Sequence, residues 1–530
     1  MTITDKRSYK VLIPTAGTGS RLGEYTKYLN KSLVDISCKP AISRIIDMFS
    51  ENCSFVIPLG YKGELVKQFL TLAYPKRKFY FPIVEKYEGE GSGLGLTILS
   101  AEQYLQEPFI FCSCDTIAEG EISYPDKNIM GVSGKENKNQ YRTADFDKNG
   151  KVTAILEKGE AKDTSMPYIG LASINDWKLF WQEMHNGGKE AIETGESYPL
   201  KKFAKNGNLF IKEYKWFDTG NIEELKKKKE YFKNDNLPNI LPKPDEAIWF
   251  VGNNVIKFSN NKSFITERIE RTKYLKDFVP KIIASTENMY AYRNEEGEVL
   301  SKIKNLELFK KLLNYAKTFW LPMQQPINFK EICKKFYYDK TFERLELYYK
   351  TFSQNDNETV INGKKYQKIS EILNKIDWEN IFNGLAGNFH GDFHFENILY
   401  NAQTDKFIFL DWRQNFGGLL NCGDIYYDLA KLLHGLIICH ELIAQNRYNI
   451  EIKGNIINYS FERKPILIEC EQYYYNWLQN NGYDIKKVKQ LTALIYLNIA
   501  ALHHAPYCHL LYYLGKTMLN EIHLIWYNVH

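Results

Sequence analysis

The stretch from Val11 to Ile42, VLIPTAGTGSRLGEYTKYLNKSLVDISCKPAI, decides the fold of the N-terminal half of this chain. It begins with an apolar run, which predicts a buried β-strand, and then turns sharply. In that turn, Gly17 and Gly19 let the backbone approach a polyphosphate, so that N–H groups such as that of Ser20 reach its oxygens, and Arg21 adds a permanent charge. The turn lacks the third glycine of a dinucleotide fingerprint and the Gly-Lys-Ser/Thr ending of a P-loop, which excludes both motifs.

The composition of the 530-residue chain is typical of a soluble globular protein with several folding units. Hydrophobic residues make up 44% and charged residues 25%, close to the averages for such proteins, and the length predicts two to four domains of about 150 residues each. The net charge of +5 is mild and predicts no nucleic-acid partner. The aromatic content of 15% is high, and indicates either a core rich in Tyr and Phe or an aromatic-lined binding surface.

Several features predict a cytoplasmic location. Nine scattered cysteines do not form a disulfide framework, which indicates a reducing compartment. The N-terminal residues MTITDKRSYK lack the pattern of a signal peptide, and no apolar run approaches the roughly 20 residues that span a bilayer. We therefore expect small-molecule substrates and no membrane insertion, and the sequence leaves open whether the protein is a homo-oligomer.

The pattern along the chain predicts two units joined by a linker. Residues 1–232 alternate short apolar strands with amphipathic helices, which predicts a mostly parallel sheet with helices on both faces. Residues 233–246 contain three prolines in a polar stretch and form the best linker candidate. Residues 247–530 predict strands over about 247–303 and then an α-rich region over about 304–530.

Further motifs make the N-terminal half resemble the sugar-nucleotidyltransferase family. In family order after the glycine turn, and through about residue 225, stand Lys31, Lys39-Pro40, the small-residue loop Gly91–Gly95, Asp115 after a strand, Glu157-Lys158, Tyr168-Ile169-Gly170 and Trp216-Phe217-Asp218-Thr219-Gly220. The family's Pro-Lys-Pro reads Asn30-Lys31-Ser32 here, so Lys27 remains an alternative to Lys31.

This resemblance implies a Rossmann-like sheet and the transfer of a nucleotidyl group to a phosphate monoester. Such a reaction gathers several negative charges, so positioning and charge neutralisation carry the catalysis. The resemblance implies that Arg21 and Lys31 hold the β- and γ-phosphates. It further implies Mg²⁺ on Asp115 and Asp218, a nucleotide-binding Gly93, and an acceptor site that contains Glu157, Lys158 and Gly170.

A second constellation, NFHGDFHFENIL over residues 388–399, precedes an apolar strand and Asp411-Trp412. An aspartate, an asparagine five residues later and a second aspartate after the next strand are what phosphoryl transfer from Mg·ATP requires. Asp392 would accept the proton of the acceptor hydroxyl, and Asn397 and Asp411 would hold the metal. The pattern resembles the aminoglycoside phosphotransferase and choline kinase family, in which Gly423-Asp424 and Asp428-Leu429-Ala430 anchor the following helix.

The second resemblance implies a bilobal protein-kinase-like (α+β) domain. Its ATP-binding lysine would be Lys257 on a predicted strand, paired with Glu267 or with Glu270, between which the sequence does not choose. The chain lacks Asp-Phe-Gly and Ala-Pro-Glu, so a protein substrate is not expected.

The two resemblances together predict a bifunctional α/β enzyme that uses Mg²⁺ at both sites. One unit would phosphorylate a small alcohol or sugar with ATP, and the other would couple the product to a nucleoside triphosphate, with CTP or UTP favoured, in surface-glycan or lipid decoration. The aromatic-rich second half favours a quaternary ammonium acceptor, whereas the loop around Gly93 favours a sugar. The alternatives are a non-catalytic kinase-like module and a scaffold for glycan assembly.

Overall fold

The strand that precedes the glycine turn lies in the interior of a mixed sheet in the computed structural model, which describes residues 7–134, 138–233 and 243–527, with side chains through residue 522. The chain divides into two compact units, Met1–Lys262 with Ile283–Asn294, and Ser263–Ile282 with Glu295–His530. Most of the predicted linker, residues 234–242, lies outside the described residues.

The first unit contains fifteen strands and seven α-helices among its described residues. The strands are β1 (Lys10–Leu12), β2 (Ser54–Val56), β3 (Phe79–Tyr80), β4 (Phe109–Cys112), β5 (Thr116–Glu119), β6 (Ile129–Val132), β7 (Thr143–Phe146), β8 (Val152–Leu156), β9 (Met166–Ile174), β10 (Phe210–Glu213), β11 (Lys215–Asp218), β12 (Glu246–Val251), β13 (Asn254–Ser259), β14 (Ile282–Ser285) and β15 (Met289–Arg293). The helices are α1 (Ala41–Ile46), α2 (Gly63–Ala73), α3 (Leu94–Leu99), α4 (Trp177–Asn186), α5 (Gly188–Thr194), α6 (Ser197–Lys205) and α7 (Ile222–Tyr231).

The main sheet has the order β10-β6-β9-β4-β1-β2-β3, with β7 and β8 attached to β9. β1 pairs in parallel with β2 and β4, whereas β9 runs antiparallel to β4 and β6. Successive residues of β1 point to opposite faces, so Val11 joins the core that contains α1 and α2, and Leu12 joins the core that contains α3, α4 and α6. The predicted α/β sheet with helices on both faces is therefore confirmed, whereas the antiparallel β9 makes the sheet mixed where the pattern predicts a mostly parallel one.

A second sheet, in the order β12-β13-β15-β14, packs against the α2 side of the first unit. Trp249 of β12 and Phe258 of β13 belong to the same apolar core as Phe69 of α2, and the rings of Phe69 and Trp249 lie 5.1 Å apart. This packing places these strands with the first unit, whereas the sequence assigns them to the kinase-like domain that begins at residue 247.

The second unit is mainly helical and contains three small sheets. Its helices are α8 (Lys262–Leu275), α9 (Leu306–Phe319), α10 (Phe329–Lys334), α11 (Lys340–Phe352), α12 (Ile369–Leu373), α13 (Trp378–Phe382), α14 (Ile425–Ile437), α15 (His440–Ala444), α16 (Pro465–Asn480), α17 (Ile485–Ala500) and α18 (Tyr507–Tyr527). Its strands are β16 (Glu298–Val299), β17 (Thr359–Ile361), β18 (Lys364–Tyr366), β19 (Ala386–Gly387), β20 (Ile398–Asn401), β21 (Lys406–Phe409), β22 (Gly423–Asp424), β23 (Tyr448–Lys453) and β24 (Ile456–Phe461).

The sequence pattern missed one of these sheets, β18-β17-β24-β23, which lies within the region predicted to be helical. The hairpin of β23 and β24 turns at Gly454, whose φ of 61° favours glycine, and β24 pairs in parallel with the distant β17. Among the described residues, no helix combines the length and apolar character that crossing a bilayer requires.

Candidate active sites

Two carboxylates converge at one end of the main sheet in the first unit. Asp115 follows β4, and Asp218 ends β11, which pairs antiparallel with β5 so that Asp218 lies opposite Thr116. Both the N–H and the hydroxyl of Thr219 donate to the carbonyl of Asp115 at 3.1 Å. A Cβ on Gly220 would lie 2.9 Å from an oxygen of Asp115 and 3.0 Å from an oxygen of Asp218. Because Gly220 has no side chain, the space between the two carboxylates stays open.

This pair of carboxylates fits the oxygen donors that Mg²⁺ prefers. The opening at Gly220 is a cradle that a side chain would fill, and the two aspartates contribute oxygens to it from different strands. Asp218 is oriented by two donors, the hydroxyl of Tyr141 at 2.9 Å and the N–H of Gly220 at 2.8 Å. The residues present therefore fit a divalent cation.

Lys31 supplies the positive charge beside this pair. Its Nζ lies 2.5 Å from Oδ2 of Asp115, whose Oδ1 accepts from the hydroxyl of Ser113 at 2.6 Å. Burial alone would raise the pKa of Asp115, but the charge and hydrogen bond of Lys31, with help from Ser113 and Arg21, lower it to about 2. Burial would lower the pKa of Lys31, and Asp115 raises it above its usual value. Both groups are therefore held in their charged forms.

The alternative lysine, Lys27, lies elsewhere. It is exposed, and its Nζ lies 3.7 Å from the carboxylate of Glu24. The structure thus brings Lys31, and not Lys27, to the aspartates.

The glycine turn leads into a short 3₁₀ segment, Ser20–Thr26. Gly19 has a φ of 68°, and a Cβ there would lie 2.8 Å from Cβ of Lys31, so the close approach of these two residues requires glycine. Gly17 has open space around its Cα, and Ser20 and Arg21 are exposed. The turn therefore presents Gly17, Ser20 and Arg21 to solvent beside Lys31.

Glu157 directly follows β8, and two cationic side chains hold its carboxylate. Its carboxylate accepts from Nε of Arg142 at 2.9 Å and from Nζ of Lys201 at 2.7 Å. Burial opposes ionisation, but these hydrogen bonds lower the pKa of Glu157 below its usual value. Lys158 is exposed.

Two predicted glycines have packing roles. Gly170, with a φ of 74°, lies against Ser113, and its carbonyl accepts the N–H of that residue at 2.8 Å. Gly93 precedes α3, and a Cβ there would lie 2.3 Å from the carbonyl of Ile192 in α5. A Cβ on Gly95 would lie 2.1 Å from the carbonyl of Ala191, so the small-residue loop lets α3 approach α5.

Sequence reasoning missed four polar residues around this site: Ser113, Tyr141, Arg142 and Glu196. Ser113 lies between β4 and Asp115, whereas Tyr141 and Arg142 belong to no motif in the sequence. Glu196 is buried, and burial raises its pKa to about 7. Its neighbour in the sequence, Ser197, accepts from Arg142 at 3.0 Å.

In the second unit, buried side chains hold the loop around Asp392. Asp428 of α14 accepts the N–H of His390 at 2.6 Å and that of Gly391 at 2.7 Å. Burial raises the pKa of Asp428 to about 6 against these hydrogen bonds. Arg271 of α8 donates to the carbonyls of Phe389, Arg413 and Leu420, and thus ties α8 to this loop.

Asp392 is the centre of a polar network. Its carboxylate accepts from Nζ of Lys431 at 2.8 Å and from Nδ2 of Asn397 at 3.1 Å, and it pairs with Nε2 of His394 at 3.3 Å. Burial opposes its charge, but Lys431 and His394 lower the pKa of Asp392 well below its usual value. Burial also opposes a charged His394, yet Asp392 and Glu396 raise its pKa to about 9.

Asp411 follows β21 and has a φ of 57°, a conformation that L-residues rarely adopt. Its carboxylate is paired with Arg268 of α8, and the indole of Trp412 donates to the carbonyl of Arg268 at 2.9 Å. Asn397 and Asp411 offer an amide oxygen and a carboxylate, a donor set that suits Mg²⁺, although a cation at Asp411 must share that carboxylate with Arg268.

The predicted ATP-binding pair is divided between the two units. Lys257 is a buried residue of β13 in the first unit, where it lies opposite Tyr290 of β15. Glu267 of α8 is in the second unit and accepts from Nδ2 of Asn415 at 2.5 Å. The alternative, Glu270, pairs with Lys273 one turn along the same helix.

Comparisons with known proteins support a domain of the sugar-nucleotidyltransferase type in the N-terminal half. The chain is 23% identical over 260 residues to the bifunctional protein GlmU of Methanococcus vannielii, a match that covers 46% of this chain and 60% of that protein. The chain thus spans about three fifths of the length of this relative. No family model matches the chain.

Two further comparisons name nucleotidyltransferases. The UTP–glucose-1-phosphate uridylyltransferase AglF of Haloferax volcanii is 22% identical over 175 residues, which cover 30% of this chain and 70% of that protein. The structure of CTP:phosphocholine cytidylyltransferase from Streptococcus pneumoniae is 16% identical, with a TM-score of 0.37, and the match covers 43% of this chain and 100% of that one.

Proposed function

We propose that the first unit transfers a nucleotidyl group from a nucleoside triphosphate to a phosphate monoester and releases pyrophosphate. The observation that carries this proposal is the convergence of Asp115 and Asp218 on Gly220, with Lys31 beside them. The names of the relatives, two of which are a uridylyltransferase and a cytidylyltransferase, agree with this class of reaction.

In this reaction an oxygen of the monoester attacks the α-phosphorus, and the bond to the β-phosphate breaks. Arg21 and Lys31 neutralise the departing pyrophosphate, and the backbone of Gly17, Gly19 and Ser20 contacts the phosphates. Mg²⁺ on Asp115 and Asp218 supplies further neutralisation of the phosphate charges.

The phosphate monoester and the nucleobase would bind at the same site. Glu157, fixed by Arg142 and Lys201, is a ready acceptor for hydroxyl groups, and the exposed Lys158 offers a charge to the monoester. The proposed role of Gly93 and Gly170 is to keep the backbone close to the bound molecules.

For the second unit, the proposed activity is phosphorylation of an alcohol by ATP. Asp392 takes the hydroxyl proton, and Asn397 and Asp411 would hold Mg²⁺. The anchoring of the loop by Asp428 and Arg271 supports this role, since phosphoryl transfer depends on positioning.

The alternative is a kinase-like module that binds but does not catalyse. The pairing of Asp411 with Arg268 and that of Asp392 with Lys431 favour this alternative, because both carboxylates are engaged by protein cations. Mg·ATP has to compete with these pairs if the unit is a kinase.

The two proposed reactions form a series, because a kinase makes the phosphate monoester that a nucleotidyltransferase consumes. The product would be a nucleotide-activated precursor, made in the cytoplasm from CTP or UTP. It would serve in the decoration of surface glycans or lipids.

The test is a mass-spectrometric assay of the purified full-length protein with Mg²⁺ and each of CTP, UTP, GTP and dTTP. One arm supplies phosphate monoesters, and the other supplies ATP with the corresponding alcohols. Nucleotidyl transfer in the first arm supports the first unit's activity, and ATP-dependent product in the second arm supports the kinase. Failure of both arms across the panel favours a scaffold.

A further inference from the structure

The surroundings of Asp392 carry an excess of positive charge. Lys431 of α14 is buried, and its Nζ lies 2.8 Å from Oδ1 of Asp392. It lies three residues after Asp428, so one face of α14 both anchors the loop and places a cation on its aspartate.

Arg413 brings a second cation to this loop. Its backbone N–H donates to the carbonyl of His390 at 2.8 Å, and a Cβ on Gly391 would lie 2.5 Å from Cβ of Arg413. The stem of Arg413 therefore lies directly against the residue that precedes Asp392. Its Nε is buried and has no hydrogen-bond partner in the described part of the chain.

Lys340, at the start of α11, lies beside Arg413. The guanidinium of Arg413 lies 4.9 Å from the ring centroid of Phe336, and Nζ of Lys340 lies 4.5 Å from the same centroid. Lys340 and Arg413 thus both contact the ring of Phe336. Arg344, one helical turn after Lys340, adds a fourth cation to the group.

Little negative charge compensates this group. In the regions that the structure describes, Lys340, Arg344 and Arg413 form no ion pair with a carboxylate, and Asp392 is already shared by Lys431 and His394. Burial lowers the pKa of Lys340 to about 7. Repulsion from Arg413, Lys431 and Arg344 adds to this effect, and the charge of Asp392 opposes it. Such a cluster is costly unless a bound anion neutralises it.

We propose that the alcohol phosphorylated at Asp392 carries an oxyanion, a carboxylate or a phosphate, which Arg413, Lys340 and Arg344 bind. The inference rests on the kinase activity proposed above. The acceptor hydroxyl attacks the γ-phosphorus of ATP, its proton passes to Asp392, and the bond from the γ-phosphorus to the bridging oxygen breaks to release ADP. A planar guanidinium and two ammonium or guanidinium neighbours suit the oxygens of an oxyanion.

This geometry disfavours the quaternary ammonium acceptor that the aromatic content indicates. A cationic acceptor at Asp392 would lie near the charges of Lys431 and Arg413. The aromatic residues of the helical region, moreover, pack on one another: the rings of Tyr348 and Tyr512 are stacked at 4.6 Å, and both side chains are buried.

The test uses full-length protein and four probes of similar size: glycerate, glycerol 3-phosphate, glycerol and choline. Binding of each probe is measured by ligand-observed NMR, and turnover by ADP release and mass spectrometry. We expect at least one of the two anionic probes to bind and to be phosphorylated with the highest kcat/KM, and the two anionic arms distinguish carboxylate from phosphate. Preference for choline or glycerol, or no binding of either anion at 10 mM, would overturn the inference.

Variants separate this inference from the kinase proposal. Arg413→Gln and Lys340→Gln are each expected to weaken binding of the anionic probe and to raise its KM at least about tenfold, the loss of one charge-assisted hydrogen bond, with the KM for ATP unchanged. The exposed Lys350→Gln on the same helix is the control, and Arg413→Lys should recover part of the binding. Anion binding without turnover would contradict the kinase alone, whereas choline turnover would contradict this inference alone.

Discussion

At the scale of single residues, Asp115 shows how the first site is built. Its backbone carbonyl accepts from Thr219, and its carboxylate accepts from Lys31 and Ser113. The sequence predicts Asp115 and Asp218 as site residues because each stands in a motif, and it leaves Lys31 and Lys27 as alternatives. It could not identify Tyr141 or Arg142, since these residues reach the site only through the pairing of β7 with β8 and β9.

The choice between the two lysines gives a direct test. Lys31→Met leaves Asp115 without its buried partner and removes a phosphate ligand, so we expect nucleotidyl transfer to fall by about 10²–10³-fold, as for loss of one preorganised donor. Lys27→Met, an exposed position, should retain activity within about twofold. Steady-state assays of the two variants compare them, and an equal loss in both would refute the assignment of Lys31.

Glu196 gives a pH-dependent prediction. Its pKa is about 7 in the folded protein, against an ordinary value of 4.5. Between these values the folded state keeps a proton that the unfolded chain releases, so this residue lowers stability as the pH rises from about 4.5 to 7. Glu196→Gln removes this effect.

We therefore expect the unfolding midpoint of Glu196→Gln to rise relative to the wild type as the pH increases from 5 to 7.5, measured by thermal scans. The exposed Glu193→Gln should show no such trend. A constant difference across this range would count against a raised pKa at Glu196.

At the scale of elements, the sequence predicts strands that have a local apolar pattern and misses strands that depend on long-range pairing. The strand before the glycine turn was predicted because it is a short apolar run, and β1 lies there in the structure. The sheet β18-β17-β24-β23 was missed because its two hairpins join through the pairing of Val360 in β17 with Ile456 in β24, and no local pattern records such long-range pairing. The sequence predicts Gly93 and Gly95 to lie in a ligand-binding loop. In the structure, their lack of a side chain also lets α3 pack closely against α5.

The contact between α3 and α5 predicts the effect of an added methyl group. Gly95→Ala places a Cβ 2.1 Å from the carbonyl of Ala191, and the overpacking should lower the stability of the first unit by about 1–3 kcal/mol. Gly17→Ala is the matched substitution, because Gly17 has open space; it should preserve stability but raise the KM for the nucleotide. Thermal scans and KM measurements separate the two effects, and equal stability of both variants would contradict the packing account.

The buried Arg271 allows a test of stability in the second unit. Lysine cannot reach the three carbonyls that the guanidinium binds, and each buried carbonyl left without a partner costs about 1–3 kcal/mol. Arg271→Lys should therefore lower the stability of this unit and abolish phosphoryl transfer while nucleotidyl transfer continues. Arg447→Lys, at an exposed ion pair, is the control. Full phosphoryl transfer by Arg271→Lys would show that the clamp is dispensable.

At the scale of the whole molecule, the two proposed sites lie in separate units of one chain. The first unit has an α/β sheet, as the sequence predicts, and a pair of aspartates suited to Mg²⁺. The second has an anchored loop, a candidate base and a group of cationic side chains near it. The sequence could not place the strands β12, β13 and β15 with the first unit, because their partner is the distant helix α2 and not a neighbouring segment.

The central claim is that the two reactions occur in series, and one measurement tests it most directly. Full-length Asp115→Asn is incubated with ATP, CTP or UTP, Mg²⁺ and the acceptor alcohol, and the products are followed by mass spectrometry against the wild type. The account predicts that the phosphate monoester accumulates and that no nucleotide-activated product forms, whereas Asp392→Asn makes that product only when the monoester is supplied. Formation of the activated product by Asp115→Asn, or the absence of monoester from both the variant and the wild type, would contradict the account.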